Sequence, residues 1–184
     1  LNSENMNTRF FSIILVLFLF SFGCGQKNTQ DITSPLQPED FLKAIHTNNR
    51  FVDSDEIAKK MINQDPILQL IDVRSPQEFA AYHLPGAINI PFENVLDEKW
   101  TSTLNQDILE LVFYSNDDVF AEQAWAICKQ KGYSNLYVLD GGLNRWFETI
   151  MLPPEPSETD PIEDFELYQF RVGASIYFGS GSVN

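Results

Sequence analysis

Between residues 51 and 146, short apolar runs alternate with helix starts, and this alternation leaves the chain few folds to choose from. Phe51-Val52, Ile67 to Val73, Ala87 to Ile90, Leu109 to Tyr114 and Leu136 to Leu139 read as strands. Asp53, with Glu56 following at the N3 position, predicts a capping box, and Ile57, Met61 and Ile62 form that helix's apolar stripe. Ser75, Pro76 and Glu78 combine an N-cap, a proline at N1 and a carboxylate at N3. A further helix is predicted over 119–131, closed by Gly132 as a C′ glycine, and another from Gly141-Gly142 through Trp146. Strands that alternate with helices build crossover units, a parallel sheet and helices on both of its faces, so the predicted class is α/β.

Outside this stretch, Pro38 to Ile45 predicts a short helix with Phe41, Leu42 and Ile45 on one face. Residues 153–159 are rich in proline and acid, a linker composition. Asp160-Pro161-Ile162-Glu163 then repeats the cap, proline and carboxylate pattern, with Phe165, Tyr168 and Val172 on one helical face. This tail is expected to fold back on the domain, because its aromatics would otherwise form an exposed apolar patch. The terminal Gly-Ser-Gly-Ser-Val-Asn is expected to be disordered.

Residues 1–23 have a different character. Read from Met6, Arg9 supplies a positive start, and Phe10 to Phe20 is an almost unbroken apolar run, followed by Ser21, Phe22, Gly23 and Cys24. The run falls short of the about 20 apolar residues that span a bilayer and fits the apolar region of a signal peptide. Small residues before a cysteine resemble the lipobox of bacterial lipoproteins, which implies cleavage before Cys24, lipid on its thiol and acylation of the new amino terminus. An ordinary signal peptide and a retained membrane anchor are the alternatives. Residues 24–37 are polar and read as a tether from the lipid to a domain over 38–150, with the linker and helical tail over 151–184. The expected location is the cell envelope, facing the periplasm or on the outer membrane.

The chain has 12 basic and 26 acidic residues, a net charge of −14, which is a poor footprint for nucleic acid or for anionic head groups. Its two cysteines and two histidines have no metal-ligand spacing, so no metal and no cofactor is expected.

From about Phe51 to Glu148 the chain resembles the single-domain members of the rhodanese-like family. The residues that carry the resemblance are Asp72-Val73-Arg74 at a strand end with Glu78-Phe79, and His83-Leu84-Pro85-Gly86-Ala87 followed by Ile88-Asn89-Ile90-Pro91. To these are added Val112-Phe113-Tyr114, Gly132-Tyr133, and Gly141-Gly142 with Trp146. The resemblance implies a three-layer fold, a parallel sheet of about five strands between helices. It also implies a catalytic cysteine directly after the Tyr114 strand, which accepts sulfane sulfur, from thiosulfate for example, as a persulfide. The loop curled around that sulfur presents N–H groups and a helix start to an anion.

Here the loop reads Ser115-Asn116-Asp117-Asp118-Val119-Phe120. A serine oxygen cannot hold sulfur as a persulfide. Asp117 and Asp118 bring negative charge to a site made for anions. Phe120 stands where the family often has an arginine for the substrate. The plainer role of the aspartates is to cap the next helix, with Glu122 complementing its dipole; cation or amine binding by an acidic mouth is the alternative. Cys128 falls inside the predicted helix and reads as core. His83 is the one candidate base for Ser115 and reads as a turn residue, while Asp72, Arg74 and Glu78 read as support for the loop.

The resulting expectation is a rhodanese-fold envelope lipoprotein without catalysis, binding or sensing an unknown protein or small ligand at the degenerate loop. The alternatives are a sulfurtransferase acting on thiosulfate or a persulfide donor, and a structural envelope component.

Overall fold

The computed structural model describes residues 34–180. The leader, Cys24 and the tether up to residue 33 lie outside them, as do residues 181–184. Thr33–Asn184 form one compact unit. It holds an entire sheet and two cores of its own, what a domain needs to fold independently.

The element order is α1 (Pro38–His46), β1 (Phe51–Val52), α2 (Ser54–Ile62), β2 (Leu68–Asp72), α3 (Pro76–Ala81), β3 (Ile88–Asn89), α4 (Thr101–Leu104), β4 (Glu110–Tyr114), α5 (Val119–Gln130), β5 (Leu136–Leu139), α6 (Gly142–Trp146) and α7 (Ile162–Ser180). A π-helical turn, Phe147–Met151, continues α6. The strands form one sheet in the order β1-β5-β4-β2-β3, and every pair is parallel. This is the α/β class and the five-stranded parallel sheet that the alternation predicts.

Side chains of a strand alternate between the faces of the sheet, so β4 serves two cores at once. Leu111 and Phe113 join Ala121, Ala124, Trp125 and Cys128 of α5 on one face. Val112 and Tyr114 join Ile57 and Ala58 of α2, Leu143 and Trp146 of α6, and Phe178 of α7 on the other. Both faces of the central strands are covered, which explains their nearly continuous apolar sequence.

Several local expectations change. The capping box at α2 is half made: Asp53 accepts the Glu56 N–H at 2.7 Å, but the Glu56 carboxylate turns to Lys60 at 3.3 Å. The box at Ser75 is complete in both directions. On α1 it is Ala44 that packs on the core, leaving Leu42 56% and Ile45 39% exposed. The tail does fold back, but on another face. Phe165, Tyr168 and Val172 are half-buried, whereas Ala174 and Phe178 are buried, the Phe178 ring lying edge-on to Trp146 at 5.1 Å. Arg171 fixes this crossing by donating to Asp55 at 2.9 and 2.7 Å. Asp160 turns back to accept the Ser157 N–H at 2.7 Å. Helix α7 runs through Gly179 and Ser180, the first two residues of the segment expected to be disordered.

Candidate functional site: the loop after the fourth strand

In a parallel sheet, loops at the carboxyl ends of neighbouring strands diverge where the connections leave in opposite directions, and a crevice opens there. After β2 the chain passes to β3 on one side; after β4 it passes to β5 on the other. A cavity of ≈ 300 Å³ lies at this divergence, walled by Arg74, Ser75 and Glu78 from the β2 side, by Ser115, Asn116, Asp117 and Phe120 from the β4 side, and by Phe92 and Glu93.

Ser115 is 1% exposed and its hydroxyl donates to the Asp117 carbonyl. Its own carbonyl accepts the Leu143 N–H at 2.9 Å, and the Asn116 carbonyl accepts the Asn144 N–H at 2.9 Å. The loop is therefore held down on the first turn of α6. Only glycine permits so close an approach: a Cβ on Gly142, whose φ is +55°, would lie 2.6 Å from the Ser115 carbonyl oxygen.

The two aspartates divide their work. The Asp117 carboxylate accepts the Val119 N–H at 3.0 Å, as a cap at the start of α5 would. Asp118 occupies the N-cap position but makes no capping bond with its side chain. It accepts the Gly141 N–H at 2.6 Å instead. Burial raises the Asp118 carboxyl above the ordinary carboxylate range, and Asp140 adds to the effect against the opposing hydrogen bond from Gly141.

Asp72 is fully buried and is held by Arg74, whose Nε donates at 3.0 Å to Oδ1 and whose Nη2 donates at 2.6 Å to Oδ2. The same Nη2 reaches the Tyr82 carbonyl at 2.6 Å, and Nη1 reaches Asn116 Oδ1 at 3.1 Å. Asn116 in turn donates to Glu78 Oε1 at 2.9 Å. Hydrogen bonds from Ser75, then from Asn116, hold the Glu78 carboxyl below its ordinary range. These residues thus form a network that clamps the loop, and Arg74 is neutralised within it.

His83 is exposed and does not line the cavity. Its ring stacks on Phe79 with centroids 3.9 Å apart, and Nδ1 pairs with the Phe79 carbonyl at 2.9 Å. The adjoining Leu84 N–H donates to the Tyr114 hydroxyl at 3.2 Å. The structure does not bring His83 to Ser115. Cys128 is fully buried in the core beneath α5, where burial pushes its thiol up to about 12. Val119 and Phe120 are 53% and 51% exposed, and the Phe120 ring sits 5.5 Å from that of Phe92.

Phe92 and Glu93 carry no motif in the sequence. They reach the cavity only because β3 lies beside β2. Among the described residues, no group of three or more His, Cys, Asp or Glu side chains could hold a metal ion.

The family profile described as a rhodanese-like domain matches residues 54–149. Thiosulfate:glutathione sulfurtransferase of Saccharomyces cerevisiae is 31% identical over 102 residues, 50% of this chain and 73% of that protein. Thiosulfate sulfurtransferase GlpE of Pseudomonas aeruginosa is 32% identical over 78 residues, 42% of this chain and 68% of that protein. Among solved structures, the rhodanese-like domain of the Anabaena protein Alr3790 is similar with a TM-score of 0.49 and 23% identity, over 61% of this chain and 88% of that one.

Proposed function

Because this chain belongs to the rhodanese-like domain family, we propose that it is a non-catalytic member of it, a binding or sensing module held at an envelope membrane through lipid on Cys24. The observation that carries this reading is Ser115. Its buried hydroxyl, bonded to the Asp117 carbonyl, stands where the resemblance places the family's thiol. Sulfane transfer needs a thiolate that accepts sulfur and releases it again, and a serine oxygen forms no such persulfide. The surroundings agree. A thiolate or persulfide is anionic, and the cavity is walled by the carboxylates of Glu78, Glu93 and Asp117, while Arg74 is engaged by Asp72. The apolar run before Cys24 supports the lipid anchor.

The names of the relatives favour a second reading, transfer of sulfane sulfur from thiosulfate or a persulfide donor. It would require Cys128, whose thiol is buried and poorly ionised. Residues 25–184, incubated with thiosulfate and then cyanide, separate the two. The first reading expects no thiocyanate and no added sulfur by intact-mass spectrometry. Turnover that is lost on Cys128→Ser would establish the second.

A further inference from the structure

We propose that the face formed by the start of α5 and the end of α1 docks a cationic amphipathic peptide segment of a partner protein, with a lysine or arginine side chain seated in the cavity beside Ser115. This rests on the reading of that loop as a binding site and specifies what it binds.

The cavity selects for positive charge. Glu78, Glu93 and Asp117 all line it. Its one cation, Arg74, is committed to the buried Asp72, so the lining keeps a net negative charge. Glu93 has no hydrogen-bond or ion-pair partner among the described residues. The Phe92 and Phe120 rings, 5.5 Å apart and inclined at 51°, form the remaining wall. Aromatic faces attract cations, and they also cover the methylene stem of a long side chain.

The rim selects for apolar neighbours of that cation. Val119 and Phe120 open α5 half-exposed, at positions where a fold gains most from polar or acidic residues. Val119 also lines a second cavity of ≈ 270 Å³ with Ile45, Trp125 and Ala126. Apolar surface thus runs from Phe120 to Ile45, and Leu42 stands exposed one turn back on α1. The one guanidinium in this second cavity, Arg50, is engaged by Glu122 at 2.9 Å. An apolar strip beside a carboxylate-lined pocket complements a segment that alternates apolar and basic side chains. The net charge of −14 steers such a segment in and repels both a second copy of this chain and anionic lipid.

The test uses 15N-labelled residues 25–184 and the blocked peptide Ac-Leu-Lys-Leu-Arg-Phe-NH2. Two control peptides carry Glu in place of both basic residues, or Ser in place of the apolar ones. Expected are saturable amide shifts confined to residues 42–45, 74–78, 92–93 and 115–123 with the first peptide, and none with the controls. Glu93→Gln with Asp117→Asn should weaken binding by about ten-fold or more, as should Val119→Ser with Phe120→Ser. Glu155→Gln with Glu158→Gln, which removes equal charge from the linker, should leave affinity unchanged. Equal weakening by the linker pair, binding of the Glu peptide, or no shifts at millimolar peptide would each overturn the proposal. Persulfide formation on Cys128 would instead overturn the non-catalytic reading and is scored in a separate assay.

Discussion

The backbone N–H of Gly141 donates to the Asp118 carboxylate at 2.6 Å, which ties the loop after β4 to the turn after β5. This bond sets the position of α6, whose first N–H groups then take the carbonyls of Ser115 and Asn116. The shape of the candidate site therefore depends on a contact between two loops, neither of which is ordered by its own residues alone.

Asp118 makes stability depend on pH. Its folded carboxyl is raised above its ordinary value, chiefly by the desolvation that comes with partial burial. Between the ordinary and the raised value the folded state binds more protons than the unfolded one, so this group's contribution falls as pH rises through that window. Asp118→Asn keeps an acceptor for Gly141 and should flatten this part of the profile. Asp118→Ala orphans the N–H and should cost about 1–3 kcal/mol. Urea melts of the three proteins across the mildly acidic range measure both effects.

Arg74→Met should be among the most destabilising single changes, at about 3–5 kcal/mol, because it leaves the Asp72 carboxylate buried without a counter-charge, held by the residue-74 backbone N–H at 2.9 Å. Arg74→Lys should recover only part of the loss, since an ammonium cannot span both carboxylate oxygens and also reach Asn116. Chemical denaturation orders the three proteins; equal stability of the lysine variant and the parent would contradict the fork geometry.

Two glycines with positive φ should respond differently to alanine. Gly86, at φ +78°, has open space where a Cβ would project, so Gly86→Ala should cost only the left-handed penalty of about 1–2 kcal/mol. Gly142→Ala adds a collision with the Ser115 and Asp117 carbonyl oxygens, at 2.6 and 2.8 Å, and should cost clearly more. It should also shift the amide resonances of residues 115–118, whereas Gly86→Ala should leave them in place.

Installing a thiol should not by itself restore sulfur transfer. Ser115→Cys places sulfur at the base of the cavity, but the carboxylates of Glu78, Glu93 and Asp117 oppose both an anionic donor and an ionised thiol. Adding Asp117→Gly and Phe120→Arg should raise thiosulfate:cyanide turnover by about ten-fold or more over Ser115→Cys alone. Comparable turnover in the single and triple variants would show that the cavity's charge does not control the reaction.

Cys128 should resist Ellman's reagent in the folded protein. It is fully buried and its thiol is pushed up to about 12, so almost no thiolate is present near neutral pH. Labelling should proceed at the rate of unfolding and accelerate with denaturant. Fast native-state labelling would place the thiol outside the core.

The strand order, the helices apart from α4 (Thr101–Leu104), the parallel class and the complete capping box at Ser75 were legible in the chain, because they follow from short-range periodicity and from contacts within one helical turn. So were the oxygen at Ser115 and the acid at Asp117. What those groups face was not legible, and it emerges only from the assembled fold. The clamp on Asn116 joins residues 42 and 38 positions away, and the Asp118 bond joins residues 23 apart. Phe92 and Glu93 enter the cavity because β3 pairs with β2, and the packed face of α7 is chosen by Trp146 and Asp55. Local pattern encodes which elements form, whereas the direction a side chain points depends on partners that become neighbours only when the sheet assembles.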